Sequence, residues 1–174
     1  MRCLLDKITA RHIMEGMLKL GEGRSATSTD LFALYFYQGA HSSNITLFIL
    51  PQTYNLLKRL NHLSRYVVII RRFLAATQVS YPARYFKRWA RRLQEYGFTK
   101  EDAEVLALAT FGTTPNGDIL GMHTVATSDQ PMINQWRAYH GEIQKRLSSM
   151  QRNLEAPYCY VSLPTIERPE LIGI

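Results

Sequence analysis

Three aspartates stand where oxygen ligands for a hard cation would be useful. Asp6 directly follows an apolar run at residues 2–5, Asp102 lies in the first turn of a helix opening at Thr99, and Asp129 follows a run that ends at Ala126. Mg²⁺ takes oxygen ligands at about 2.1 Å and keeps several of its waters, so a few carboxylates suffice to hold it. Such an ion offsets the repulsion among the acids, neutralises a phosphate oxygen and makes a bound water more acidic. Each aspartate also has a structural role open to it. Thr99 with Asp102 three residues on has the form of a capping box, with Asp in the usual Glu or Gln place. Asp6 and Asp129 each precede a helix and can cap it, since helix starts attract acids.

A second group suits phosphates. Arg84, Lys87, Arg88, Arg91 and Arg92 crowd one side of a helix read over residues 82–96, and Tyr85, Phe86, Trp89 and Leu93 occupy the other. Cations so placed act as phosphate ligands rather than as readers of sequence, and the aromatic residues beside them belong to the core. Residues 31–94 contain ten Lys or Arg and no Asp or Glu, whereas the rest of the chain holds 11 basic and 14 acidic residues, giving +7 in all. That division fits a face for phosphates with an acidic site elsewhere, and nucleic acid as the partner; a solvated basic surface is the plainer alternative. Other chemistries lack their signatures. The five histidines show neither HxH nor HExxH spacing, and His123, near a strand end, suits a structural hydrogen bond. Gly21-Glu22-Gly23 lacks the spacing of a dinucleotide fingerprint, and no Ser–His–Asp or Cys–His pattern is recognisable. Cys3 and Cys159, without CxxC spacing, read as small buried hydrophobes.

The elements that must carry these residues follow from apolar spacing. Residues 2–5 read as a strand, and Ile13, Met14, Met17, Leu18 and Leu20 mark a helix over residues 9–20, closed by Gly21 and Gly23. A second helix spans residues 30–38 behind a Ser28 or Thr29 cap, and residues 45–50 form a strand stopped by Pro51, with a helix over residues 52–63. Residues 66–73 are too short an apolar run for periodicity to choose helix or strand. Helices follow at 82–96 and 99–111, a turn at 115–118, a strand at 122–126, a long helix at 131–153 and a last strand at 158–163. Strands separated by helices predict an α/β domain whose parallel sheet is covered on both faces, with ligands bound beyond the carboxyl ends of the strands.

The chain's 174 residues suit one domain, read as residues 1–164 with a tail at 165–174. No apolar run approaches the roughly 20 residues of a membrane span. The charged start, with Arg2, Asp6 and Lys7, does not fit a secretory signal, so the expected location is the cytoplasm, away from membranes.

LLD at 4–6, EDAEVLALA at 101–109 and VATSD at 125–129 resemble, in order and spacing, three motifs of the PIN-domain family. Those motifs are an Asp ending strand one, an Asp-Ala opening an alanine-rich helix, and a T-x-D ending a later strand. The likeness spans nearly the whole chain. It implies a Rossmann-like three-layer α/β/α sandwich with a central parallel sheet. It also implies an acidic pocket binding Mg²⁺ or Mn²⁺, and hydrolysis of RNA phosphodiesters by metal-activated water. Carried over by position, Asp6, Asp102 and Asp129 are the metal and catalytic acids, with Thr127 supporting Asp129. Many relatives are toxins of toxin–antitoxin pairs, which implies an antitoxin-like protein partner and leaves a homodimer open. Two positions depart from the pattern. Ile8 stands where the family has Asn or Ser, and the family's second acid, a Glu, corresponds to Asn55 in PQTYNLL at 51–57, an amide that can ligate without bringing charge. Asp30, Glu101, Glu104 and Asp118 are the acids left to substitute for it. The departures keep open a catalytically weakened or inactive RNA- or protein-binding module. The basic helix keeps open a mostly helical DNA-binding protein.

Overall fold

Successive residues of a strand point to opposite faces of its sheet, and here both faces are apolar. In β1 (Arg2–Leu5), Cys3 and Leu5 enter one buried cluster and Leu4 the other; in β2 (Thr46–Ile49), Leu47 and Ile49 join the first and Phe48 the second. A sheet apolar on both sides must be covered on both sides. The computed structural model describes residues 1–173 and shows that covering. Helices α1 (Lys7–Gly21), α2 (Ser28–Ser42), α3 (Pro51–Leu60) and α4 (Val67–Ala75) pack on the Cys3–Leu5 side. Helices α5 (Phe86–Gln94), α6 (Lys100–Phe111) and α7 (Gln130–Gln151) pack on the Leu4 side. The result is a three-layer α/β/α sandwich.

The sheet has five parallel strands. With β3 (Gln78–Val79), β6 (Thr124–Ala126) and β7 (Thr165–Glu167), their order is β3-β2-β1-β6-β7. At the upper end of β1, Leu5 pairs with Ile49 on one side and Ala126 on the other. The chain winds outward from β1 through β2 to β3, then returns to the opposite side of β1 as β6. The β1/β6 boundary is therefore the switch point, where parallel α/β sheets open a crevice at their carboxyl ends.

Several boundaries differ from the sequence reading. Residues 66–73, left open between helix and strand, form helix α4, because Ile70 and Phe73, three apart, both reach the core. Helix α5 starts at Phe86 rather than at Pro82. The short strand β4 (Tyr81–Pro82) pairs antiparallel with β5 (Gly112–Thr113), and Tyr85 then turns left-handed at φ 72° before the helix begins. Gly112 is required in that ribbon, where a Cβ would overlap the Leu108 carbonyl oxygen and the Ser80 hydroxyl. The last strand is not at 158–163, where Tyr158–Tyr160 makes a single 3-10 turn, but at Thr165–Glu167. The segment 165–174, read as a tail, thus supplies β7: Ile166 enters the core, and Ile172 is buried against the first cluster. No helix among the described residues is long and apolar enough to cross a membrane.

Candidate active site at the carboxyl ends of the strands

Strand β1 delivers Asp6 to the switch point. Its backbone N–H donates to the Ala126 carbonyl at 3.1 Å, so the aspartate sits where β1 and β6 end together. The side chain is 7% exposed. It caps α1, with Oδ1 accepting from the Lys7 amide at 2.6 Å, and Oδ2 accepts from the Thr127 hydroxyl at 3.0 Å. Burial pushes its pKa above the ordinary aspartate value. The Thr127 hydroxyl and the amides of Lys7 and Ile8 pull it back, and the charge of Asp102 pushes it up. A carboxylate stripped of water beside a second acid is relieved by a cation.

Thr127 joins two of the acids. While its hydroxyl donates to Asp6, the same oxygen accepts the Asp129 amide at 3.1 Å. Asp129 caps α7, with Oδ1 accepting from the Met132 amide at 3.1 Å. Asp102 lies across the end of the sheet on α6, its Oδ2 accepting from the Thr99 hydroxyl at 2.7 Å. The α6 N-terminus is tied to the same corner by a 2.9 Å bond from Lys7 Nζ to Glu101. Asp6 and Asp129 therefore serve as helix caps, Asp102 braces the Thr99 cap of α6, and all three stand at one end of the sheet. Their ligand atoms do not all fall within 4.8 Å of one another, so they do not form a closed ligand set.

Beside this corner is a cavity of about 310 Å³, with Lys7, Gln52, Thr53, Lys100, Glu101 and Glu104 among its walls. Asn55, which the family pattern aligns with a metal-ligating acid, is exposed on α3 and outside this lining; α3 contributes Gln52 and Thr53 instead. Ile8 is partly exposed at the start of α1. Among the acids that could substitute, Asp118 is exposed in the turn after β5, and Glu101 is paired with Lys7. Glu104 is half-buried, lines the cavity and has no ion-pair partner among the described residues.

Asp30 belongs to a different cluster, between α1 and α2. His12, Glu15 and Asp30 each offer a ligand atom within 4.8 Å of the others, so this group could hold a metal ion. Its acids already have partners. Asp30, 1% exposed, accepts from Lys19 Nζ at 2.7 Å, His12 Nδ1 at 2.8 Å and the Thr27 amide at 3.1 Å, completing a capping box with Thr27. Burial works to raise its pKa, but the bonds from Lys19, His12 and Thr27 outweigh it and hold the carboxyl far below the ordinary range. Glu15 accepts from Arg11 and lies 3.5 Å from Lys19. The cap is Thr27 rather than Ser28 or Thr29, which lie inside α2, because only Thr27 stands three residues before Asp30 and can exchange bonds with it. The convergence of His12 and Glu15 on Asp30 is not visible in the sequence, because the helices that bring them together are joined by a turn of unspecified direction.

The basic side of α5 faces away from the core, in which Trp89 and Leu93 are buried. Tyr85 packs edge-on against Phe111 and Tyr158. Arg84 is paired with Glu155, and Arg92 with Glu95 at 2.8 Å; Lys87, Arg88 and Arg91 have no carboxylate partner among the described residues. His123 accepts the Arg2 amide on Nδ1 at 3.0 Å, and burial lowers its pKa.

No known family model matches this chain, and no curated protein matches it.

Proposed function

We propose that this protein is a metal-dependent endoribonuclease of the PIN type, with its site at the carboxyl ends of β1 and β6. The observation that carries the reading is Asp6: a buried carboxylate that shares Thr127 with Asp129 and feels the charge of Asp102. The donor set fits a hard cation such as Mg²⁺ or Mn²⁺, being all oxygen and lacking a charge of opposite sign in contact with Asp6. The acids that would hold the ion are Asp6, Asp102 and Asp129, with Glu104 in the place left by Asn55. A bound ion supplies charge for a phosphate oxygen and a more acidic water. Thr127 orients Asp6 and fixes the backbone at Asp129. Lys7 and Lys100, on the cavity wall, meet the phosphates that flank the scissile bond. To complete the set, Asp102 must swing from the Thr99 hydroxyl and Asp129 from its capping bond, each a rotation of a side chain at a helix start.

The test is cleavage of single-stranded RNA with Mn²⁺ or Mg²⁺. Asp102→Asn and Asp129→Asn are expected to abolish it, and wild type should gain melting temperature on adding Mn²⁺. Cleavage that persists in EDTA and in both variants excludes the proposal. A second reading, a binding module without turnover, is favoured by the exposure of Asn55 and the open spacing of the acids. An apolar groove of about 550 Å³ between α1 and α3, floored by Met14, Leu18, Leu57 and Leu60, would then serve a protein partner. RNA binding with no cleavage and no response to Mn²⁺ supports that reading.

A further inference from the structure

We infer that the cleft between α5 and α7 anchors one backbone phosphate of the bound RNA strand on Arg88, Arg92 and Arg146; this rests on the RNA reading above. The cleft has a volume of about 180 Å³ and is walled by these three arginines together with Ser149 and Asn153. No local pattern in the sequence singles out Arg146 and Ser149 on α7 or Asn153 just beyond it, which fold alone places opposite α5.

Glu95 organises the cleft. One carboxylate oxygen accepts from Arg92 at 2.8 Å and the other from Arg146 at 3.1 Å, fixing two guanidiniums on one carboxylate. A guanidinium has five N–H donors, so most remain free on each. Arg88 has no carboxylate partner among the described residues. Three cations against one acid leave a balance of +2 (3 − 1). Arginines immobilised in advance lose less freedom when they bind, and their planar forks suit phosphate oxygens.

Size sets the class of ligand. Pockets for drug-sized molecules begin at about 300 Å³, so this smaller cleft is of a size for a single phosphate group. Arg88 and Arg92 also line the neighbouring 400 Å³ hollow with Lys87 and Arg91, which makes one continuous basic track. Asp129 and Arg146 are 17 residues apart (146 − 129) on the same helix. At a rise of about 1.5 Å per residue this is roughly 25 Å along α7. At the 3.4 Å per nucleotide of a B-form strand about seven nucleotides span it, and a more extended single strand needs fewer.

The experiment measures binding of a fluorescent single-stranded RNA of about ten nucleotides, long enough for that span. It is done in EDTA, so hydrolysis plays no part. Arg88→Gln with Arg146→Gln should weaken binding about fivefold at 0.1 M salt and flatten the salt slope by about 0.7, the loss of one phosphate contact. Arg137→Gln with Lys145→Gln removes the same charge from α7 outside the cleft and should change affinity by less than about threefold, as screened surface charges do. The lysine pair Arg88→Lys with Arg146→Lys, which keeps the charge and loses the forks, should fall between. Equal losses in the two glutamine pairs overturn the anchor, and so does wild-type binding to phosphatidylserine vesicles with none to RNA. If the cleft pair has no effect while Asp102→Asn still abolishes cleavage, the anchor fails and the nuclease reading stands.

Discussion

Asp30→Asn separates the two acidic clusters by their energetics. The wild-type carboxylate is 1% exposed and accepts from Lys19, His12 and the Thr27 amide. A hydrogen bond to a charged group is worth about 1.5–3 kcal/mol, and a lost N-terminal cap about 1 kcal/mol. Asparagine retains one acceptor oxygen but turns an N–H₂ toward a cation. Lys19 and His12, about a quarter exposed, recover part of their hydration. The balance is a destabilisation of about 2–3 kcal/mol at neutral pH. For a chain of this size that is roughly 5–10 °C in melting temperature. Because the folded-state pKa of Asp30 is depressed, its contribution is complete above the ordinary carboxylate pKa and is lost as pH falls through the lower folded value. The gap between wild type and variant should thus hold at pH 7 and start to close only below about pH 4. Urea titrations across that range measure it, and Mn²⁺ added at pH 7 should stabilise the variant as much as it does wild type. A variant as stable as wild type refutes the account of the network, and a lost Mn²⁺ response moves the metal site to His12, Glu15 and Asp30.

Other outcomes follow from features of single residues. Glu104→Gln should raise the Mn²⁺ concentration needed for half-maximal stabilisation while leaving the melting temperature in EDTA within about 2 °C, the change of a half-exposed side chain. An unchanged Mn²⁺ titration would remove Glu104 from the site. Lys87→Gln with Arg91→Gln should lower the salt slope of RNA binding by about 1.4, which anisotropy at several salt concentrations reads directly. Gly112→Ala places a methyl group against the Leu108 carbonyl and Ser80 and should cost about 1–3 kcal/mol by overpacking, measured by urea unfolding. Stability equal to wild type would mean that the β4–β5 ribbon gives way without strain.

What could be read before folding was governed by local repetition. The central strands carry apolar side chains at their last three positions, so residues 2–5 and 45–50 read as strands, and the helices between them implied a parallel sheet covered on both faces. Residues 165–167 failed that test. Their run is three residues long, and only Ile166 is buried, so β7 owes its existence to the open edge of β6 rather than to its own sequence. Helix α5 was drawn too early because an amphipathic period cannot register that Tyr81 and Pro82 pair with a strand 30 residues downstream. In the candidate site, strand ends and helix starts are marked by the acids themselves, which is why Asp6 and Asp129 could be assigned places. Asn55 was placed by alignment with a pattern, and one turn of helix separates it from the cavity wall that Gln52 and Thr53 occupy. Side chains that meet across helix pairs, such as Glu95 with Arg146, leave no trace in spacing.

The late edge strand has a consequence for proteolysis. Thr127 N–H donates to the Glu167 carbonyl, so β7 braces the residue that joins Asp6 to Asp129. A nick in the exposed stretch near Glu155 or Ala156 would free β7 to depart. The molecule left behind would carry a bare, flat β6 margin, ready to be zipped onto a neighbour, and cleavage by a protease would end in aggregation rather than in a smaller working protein.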